Sequence, residues 1–511
     1  MSLAARIGRA IFWSQAGRLA EAAILFLFSL MLARVLGPSS YGLYALGMSL
    51  AGVFAFLTLL GLGPETLGRF LPELTANGRR GRAARLLRAL LAIRAVAIIL
   101  AACLFFAFRN AILARFHFPL ILESFAAVLL VFAARSVLDL LTYFFSGLLE
   151  LRRVALAKLV AAAVAPLVFL GFLISGHAGA TAAWVSVAAG SLAGILILGA
   201  PLLAERSPAF DHEQLPIRRI LAFGMFTWVT NFFVYVLGDS TDVLLLGWLV
   251  PDRAAIGHYT VGAKVVFSIT GLLLGWAPLV NVASLSESFQ RKGAAGLVRA
   301  LEAEWKFVAL SVIAPLLFLL RYARAVVTLL FSPAYAGSVP VTQILCALVA
   351  CAGVFGMSIH GGVLYTFNRE RLACAAFGLA ATFNIVSEIV LVRRIGMEGA
   401  AWATGLSFVL LAMICAIAAR LCLPFRFPAT FLGKVAAAVV VALAATVWLR
   451  PVSIAGLAGA AALYTAAFVA SLALLKPLSA SDSASLHRIN NALGCCAERF
   501  FTAAYAAAGE R

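Results

Sequence analysis

Long apolar runs alternate with short basic loops along nearly the whole chain. Residues 11–33, 42–66, 89–108, 120–148, 155–175, 179–203, 222–249, 257–282, 307–320, 342–366, 372–392, 398–420, 433–449 and 453–475 each read as one run, with a turn at Pro251-Asp252-Arg253. About 20 apolar residues suffice for a helix to cross a bilayer core. Lipid offers the backbone no hydrogen-bond partners, so a spanning segment is a helix or a strand of a closed barrel. Barrel strands would show short stretches of alternating polarity, and these runs are long and continuous. The pattern predicts an all-α integral membrane protein of about fourteen transmembrane helices, as counted from these runs.

Composition sharpens that picture. The 511 residues are 64% hydrophobic and 12% charged, and a soluble domain carries about twice that charged fraction. The net charge of +19 would suggest nucleic acid in a soluble protein. Here the basic residues sit in the loops, without interleaved aromatics, where they signal topology and meet anionic lipid; no nucleic-acid partner is expected. Assigning alternate loops to alternate sides puts 28 Lys and Arg on the side of the termini and 9 on the other. By the positive-inside rule both termini face the cytoplasm, in a multi-pass protein of the cell inner membrane. Arg6 and Arg9 precede the first run and no A-x-A cleavage site follows, so that run reads as a retained helix. The eight cysteines form no CxxC pair, which argues against zinc or a disulfide framework; Cys495 and Cys496 read as reduced thiols of the tail.

An internal repeat appears at an offset of about 215–220 residues. Gly42-Leu43-Tyr44 after the first run matches Gly257-His258-Tyr259 after the seventh. Arg152-Arg153 before the fifth matches Arg369-Glu370-Arg371 before the eleventh. Gly176-His177-Ala178-Gly179-Ala180 at the sixth matches Gly396-Met397-Glu398-Gly399-Ala400 at the twelfth. An even number of helices per repeat makes the halves parallel, a plan in which transporters place their site between two lobes. The expected layout is an N-lobe over 1–205, a cytoplasmic linker over 206–219, a C-lobe over 220–420, two further helices over 421–476 and a cytoplasmic tail over 477–511.

The segment Leu32-Ala33-Arg34-Val35-Leu36-Gly37-Pro38-Ser39-Ser40-Tyr41-Gly42-Leu43-Tyr44-Ala45-Leu46 resembles the first periplasmic turn of the Wzx-type polysaccharide exporters, which are oligosaccharide flippases. Asp242-Val243-Leu244-Leu245-Leu246-Gly247 resembles their seventh helix, and Phe383-Asn384-Ile385-Val386 with Gly396 to Ala401 their eleventh and twelfth. Those proteins share the MOP superfamily with lipid II flippases and MATE drug exporters. The resemblance covers about 1–420. It implies two six-helix lobes, alternating access and an undecaprenyl-pyrophosphate-linked oligosaccharide as cargo, with glycan polymerase and export machinery as further partners. Where the family has a second Asn in the eleventh helix, this chain has Glu388 nearby.

Charged residues inside apolar runs are the candidates for function, because each costs about 2.5–3.5 kcal/mol at the bilayer centre even on lenient scales. They are Glu21, Arg94, Arg135, Asp139, Asp239, Asp242, Lys264 and Glu388, and they should line a wet path or pair with one another. A pyrophosphate needs cations, which makes Arg18, Arg135 and Lys264 candidate cargo contacts. Arg18 and Glu21 share a helix face, as do Arg135 and Asp139. The plain alternatives are snorkelling for Arg18 and Lys264 and a local ion pair for Arg135 and Asp139. Asp239, Asp242 and Glu388 are candidates for coupling to Na⁺ or H⁺, with helix-end solvation or pairing to Lys264 as the alternative for the aspartates. His360, near the cytoplasmic end of the tenth run, could sense protons, although an ordinary hydrogen-bonded histidine is the expected reading. Gly190-x-x-x-Gly194 and Gly271-x-x-x-Gly275 would allow close helix approach, and Pro166, Pro278 and Pro315 would kink helices. There is no GxxxxGK[ST], HExxH, GxSxG or DxD-bearing loop, so neither ATP use nor bond chemistry is expected, and no cofactor. A MATE-like cation-coupled antiporter remains the first alternative. A membrane glycan polymerase or ligase is the second, against which the short loops argue.

Overall fold

A computed structural model of the chain describes residues 3–75, 80–116, 122–204, 217–275 and 277–477. The linker over 206–219 falls largely outside them, as does the tail from 478 with Cys495 and Cys496. Every regular element among the described residues is helical. Thirteen stretches are long and apolar enough to cross a membrane. The chain folds as two compact units, Met1–Gly257 and His258–Arg511.

The first unit holds α1 (Leu3–Leu57), α2 (Pro64–Thr75), α3 (Arg80–Ala107), α4 (Arg109–Arg115), α5 (Leu122–Gly147), α6 (Leu151–Ile174), α7 (Ala180–Ala204), α8 (Ile217–Val236), α9 (Asp239–Leu249) and the start of α10 (Arg253–Leu274). Within α1, Gly37 leaves helical geometry at φ 70° and ψ 172°, just before Pro38. Neighbouring contacts show that the chain reverses there. The first arm runs parallel to α6, with Gly17 against Ala155 and Phe28 against Phe169. The second arm runs antiparallel to α3, with Phe54 on Phe105 and Thr58 on Arg94. α3 is antiparallel to α5, α5 parallel to α7 and α7 antiparallel to α6, so α3 and α6 point the same way. The long apolar stretch Gly17–Leu57 is therefore two crossings, and the thirteen stretches make fourteen spans.

Small residues set the spacing of these helices. Gly190 lies on the backbone of Ala161, and a Cβ at Gly194 would sit 3.2 Å from the Ala157 carbonyl oxygen. This is the close approach expected of that glycine pair. Gly271, by contrast, has nothing within 4 Å and makes no such contact. Trp184 fills the space left by Gly47 and donates from Nε1 to the Tyr44 carbonyl at 3.0 Å. Pro166 and Pro315 lie inside regular helix, whereas Pro278 stands at the start of α11, directly after the interruption between α10 and α11; further interruptions fall at Gly37, Gly238, Gly293 and residues 355–360. A proline kink requires strain against the preceding turn, whereas a glycine reaches left-handed backbone freely.

The second unit carries the rest of α10, then α11 (Ala277–Leu330), α12 (Val339–Val354), α13 (Gly361–Thr366), α14 (Glu370–Ile395), α15 (Met397–Cys422), α16 (Ala429–Thr446) and α17 (Ile454–Leu475). α11 bends at Gly293, at φ 60°, where a charged stretch meets an apolar one. α16 and α17, which have no counterpart in the repeat, pack on α11. Phe431, Val435 and Val439 meet Ala309, Ile313 and Ala314, and Tyr464 donates to the Ala314 carbonyl at 2.8 Å.

The repeat is visible in the backbone. Gly176 and Gly396 both take positive φ, 76° and 63°, and each closes one helix and leads into the next, α6 to α7 and α14 to α15. The paired glycines Gly42 and Gly257 lie backbone to backbone within the first unit.

Candidate functional site

Besides Ser136, Thr142, Ser146 and the Glu123-Ser124 pair of its first turn, the polar residues of α5 are Arg135, Asp139 and Tyr143. Steps of four residues keep these three on one face. Arg135 is exposed halfway along the helix, and Asp139 and Tyr143 are partly exposed. Arg135 lies within electrostatic reach of Asp139, of Tyr44 on the second arm of α1, of Tyr143 and of Tyr235 on α8. Lys158 on α6 and Arg94 on α3 both act on Asp139 as well. Glu21 pairs with Lys158 at 3.8 Å, while Arg18 is exposed. The shared-face neighbour of Glu21 is thus not its partner in a salt bridge.

This face differs from the others of the first unit. The lipid-type surfaces of α3, α6 and α7 expose Val96, Ile99, Leu100, Leu167 and Leu196. The Arg135 face presents an arginine and three tyrosines. A guanidinium left against acyl chains would cost several kcal/mol; phenol and carboxyl groups lie within its electrostatic reach here.

Arg94 stands behind that face, 1% exposed. Its Nη1 donates to Thr58 Oγ1 at 3.3 Å, whereas Nε and Nη2 have no hydrogen-bond partner. Its charge is balanced through Asp139, whose field also reaches Lys158 and Arg135. Asp139 therefore sits within reach of three cations.

An aromatic wall adjoins it. Phe56 stacks on Trp228 at 5.7 Å and on Tyr235 at 4.8 Å, with Phe232 beside them at 6.2 Å. Asn231, one turn from Trp228, donates to Glu65 at 3.4 Å. Gly61 and Gly224 touch backbone to backbone, which brings α8 close enough to the end of α1 for this stacking.

Of the remaining candidates, Asp239 lies within electrostatic reach of Tyr235 and so borders this cluster. Asp239 and Asp242 lie in the first turn of α9, where the seventh span restarts after Gly238; Asp239 is exposed and Asp242 fully buried. A helix N-terminus favours carboxylates by about 0.3–1 kcal/mol, which suits the exposed Asp239 and is small beside the cost of burying Asp242. Glu388 and Lys264 belong to the second unit. Glu388 is fully buried on α14, one turn from Asn384, whose Nδ2 donates to Thr404 Oγ1 at 3.3 Å. Lys264 is half-buried on α10. The structure thus brings together Glu21, Arg135 and Asp139, and it adds Lys158, Arg94, Tyr44, Tyr143 and Tyr235. The stripe at 135, 139 and 143 is legible in the sequence as a polar line at steps of four on a largely apolar run. The contributions of α1, α3 and α8 are long-range and leave no such mark.

Residues 7–287, more than half of the chain, match the family described as "Polysaccharide biosynthesis protein". The chain belongs to this family. Over 226 residues it is 24% identical to the "Uncharacterized membrane protein MJ1068" of Methanocaldococcus jannaschii, a stretch that covers 41% of this chain and 42% of that protein. The chain thus spans about two fifths of the length of that curated relative. Among solved structures, this member of the polysaccharide biosynthesis family superposes on "Lipid II flippase MurJ, inward closed conformation" with a TM-score of 0.66. The match has 15% identity and covers 92% of this chain and 98% of that one. An inward-facing multidrug resistance MATE family transporter of the MOP superfamily gives a TM-score of 0.58 at 13% identity, covering 83% and 95%. A mutant of the Vibrio cholerae MATE transporter VcmN gives 0.55 at 13%, covering 81% and 97%. The fold is therefore the one these transporters share, in a multi-pass membrane protein of the family described as "Polysaccharide biosynthesis protein".

Proposed function

We propose that this protein is a flippase that moves a polyprenyl-pyrophosphate-linked oligosaccharide across the inner membrane, without making or breaking covalent bonds. The observation that carries this reading is the exposed Arg135 at mid-helix, ringed by Tyr44, Tyr143 and Tyr235 and flanked by the Phe56–Trp228 wall. A guanidinium forms forked hydrogen bonds to phosphate oxygens, and aromatic rings offer apolar faces to sugars. The same cation disfavours the antiporter alternative, since it would repel a cationic drug. The family supports the glycan as cargo.

In this reading both termini face the cytoplasm, and the lobes over 1–205 and 220–420 alternate access through the linker at 206–219. Membrane lipids surround the chain, and a glycan polymerase takes the product on the far side. Asp239, Asp242 and Glu388 are the candidates for coupling to Na⁺ or H⁺. Lys264 is a second cargo cation, and Arg18 meets the headgroups.

The test is reconstitution. Vesicles containing the purified protein and a fluorescent polyprenyl-pyrophosphate glycan should lose outer-leaflet label, read by a membrane-impermeant quencher, faster than protein-free vesicles. Equal rates with and without protein, for several glycans, would sink the flippase reading.

A further inference from the structure

The tenth span, expected as one helix over 342–366, is broken. α12 ends at Val354, residues 355–360 form turns, and the short α13 follows. Gly356 and Met357 both take positive φ, 76° and 53°. An interrupted membrane helix exposes backbone groups at depth and is a common device at cation sites. Here the break is sealed by side chains. Trp305 of α11 donates from Nε1 to the Val354 carbonyl at 3.0 Å. The His360 ring lies 4.5 Å from that indole and 5.3 Å from the ring of Phe425, and neither ring nitrogen has a hydrogen-bond partner.

Next to Trp305 stands Glu304, 1% exposed. Its Oε2 accepts from Asn281 Nδ2 at 2.6 Å, and the Ser284 hydroxyl lies beside the same carboxyl. Oε1 has no partner. Asn281 is wedged against Gly362 of α13, where any Cβ would run into its Oδ1. The carboxyl is thereby tied to the far side of the break.

An ionised carboxylate with one amide partner in such a place costs several kcal/mol. Among the described residues no cation offsets that cost. Titratable and charged groups beside it on α11 and on the elements packed against α11 include Glu302 and Lys306, Cys346 and Cys351 on α12, Tyr335 before α12, His360 and Tyr365 around α13, Arg426 and Lys434 toward α16, and Tyr464 on α17. None of them forms an ion pair with Glu304, and Lys306 lies over the Phe431 ring instead. A charge-neutral carboxyl needs its own hydrogen, and Oε1, which has no partner, is the oxygen open to it.

We propose that Glu304 is a proton-binding site of the second unit, distinct from Glu388, whose proton exchanges with water when the 355–360 break opens. The ligand is H⁺, and the proposal is independent of the identity of the cargo.

The test is infrared spectroscopy of the full-length protein in lipid between about pH 5 and pH 9, a range that brackets the titration of a perturbed carboxyl. Wild type should show the carbonyl stretch of a protonated carboxylic acid, shifting in D₂O and fading with rising pH as one proton leaves. Glu304→Gln, whose amide can still pair with Asn281, should lack that band. Glu304→Asp should show it at a shifted position, and it reports the site even if the Gln variant fails to fold. A band unchanged in Glu304→Gln would overturn the proposal. So would one that neither exchanges nor titrates, which would make the pair purely structural. A titration midpoint that moves with Na⁺ concentration would overturn the assignment to a proton.

Discussion

Replacing Arg135 by alanine is expected to lower translocation of a pyrophosphate-linked glycan by roughly ten- to a hundredfold while leaving the amount of folded protein unchanged. Hydrogen bonds to a charged group are worth about 1.5–3 kcal/mol, and each 1.4 kcal/mol is a factor of about ten. Arg135 is exposed and forms no salt bridge to Asp139, so its removal costs the fold little. Arg135→Lys keeps the charge but loses the fork, and should fall between the two. Quencher-based translocation rates in vesicles, normalised to reconstituted protein, measure both variants. Wild-type rates in Arg135→Ala would remove the residue from the site.

The second large effect is structural. A Cβ at Gly42 would run into the carbonyl oxygen of Arg253 and come within 2.8 Å of the Gly257 nitrogen, while one at Gly257 would strike the Pro38 carbonyl. Both obstacles are backbone, so no flexible side chain can yield. Overpacking of a well-packed core costs about 1–3 kcal/mol, occasionally more, and here it forces helices apart at the point where the two repeated turns meet. Gly42→Val is expected to give aggregated protein, and Gly42→Ala a clearly lowered melting temperature by size-exclusion thermal profiling. Gly171→Ala supplies the contrast: it lies inside α6 with nothing within 4 Å, so it should melt at or slightly above wild type. Equal behaviour of Gly42→Ala and Gly171→Ala would show that the close approach is not tight in the folded protein.

Much of this fold was legible in the sequence because lipid leaves the chain so few options. The apolar runs over 89–108, 398–420 and 453–475 coincide closely with α3, α15 and α17. The repeated glycines at 176 and 396 mark turns that need positive φ. Where the reading fell short, a local interruption lay inside a long apolar run. The break at 355–360 is marked only by the glycines at 353, 356, 361 and 362 with Ser358 and His360, inside a run that is otherwise apolar, and the restart of the seventh span at Gly238 lies inside another apolar run. Pro166 and Pro315 do not interrupt their helices, whereas Gly37, Gly293 and Gly356 take positive φ, which glycine adopts without strain.

The candidate site divides along the same line. Arg135, Asp139 and Tyr143 share a helix, so spacing alone groups them. Lys158 looked like a loop cation, and only packing of α6 on α1 brings it to Glu21. Tyr44 and Tyr235 join the face through the Gly37 reversal and the Gly61–Gly224 approach. These are tertiary facts, set by backbone contacts between distant residues. Glu304 and Asn281 were invisible for the same reason, being 23 residues apart and joined across the bend at Gly293.

The most direct test of the account is a binding comparison by native mass spectrometry on the intact protein. The ligands are one glycan carried on polyprenyl pyrophosphate and the same glycan on an uncharged polyprenyl ether. Wild type should retain the pyrophosphate form about tenfold or more over the ether, and Arg135→Ala should bind the two alike. Equal retention of both lipids by wild type, or an undiminished preference in Arg135→Ala, would contradict the claim that this charged and aromatic face holds the phosphate end of the cargo.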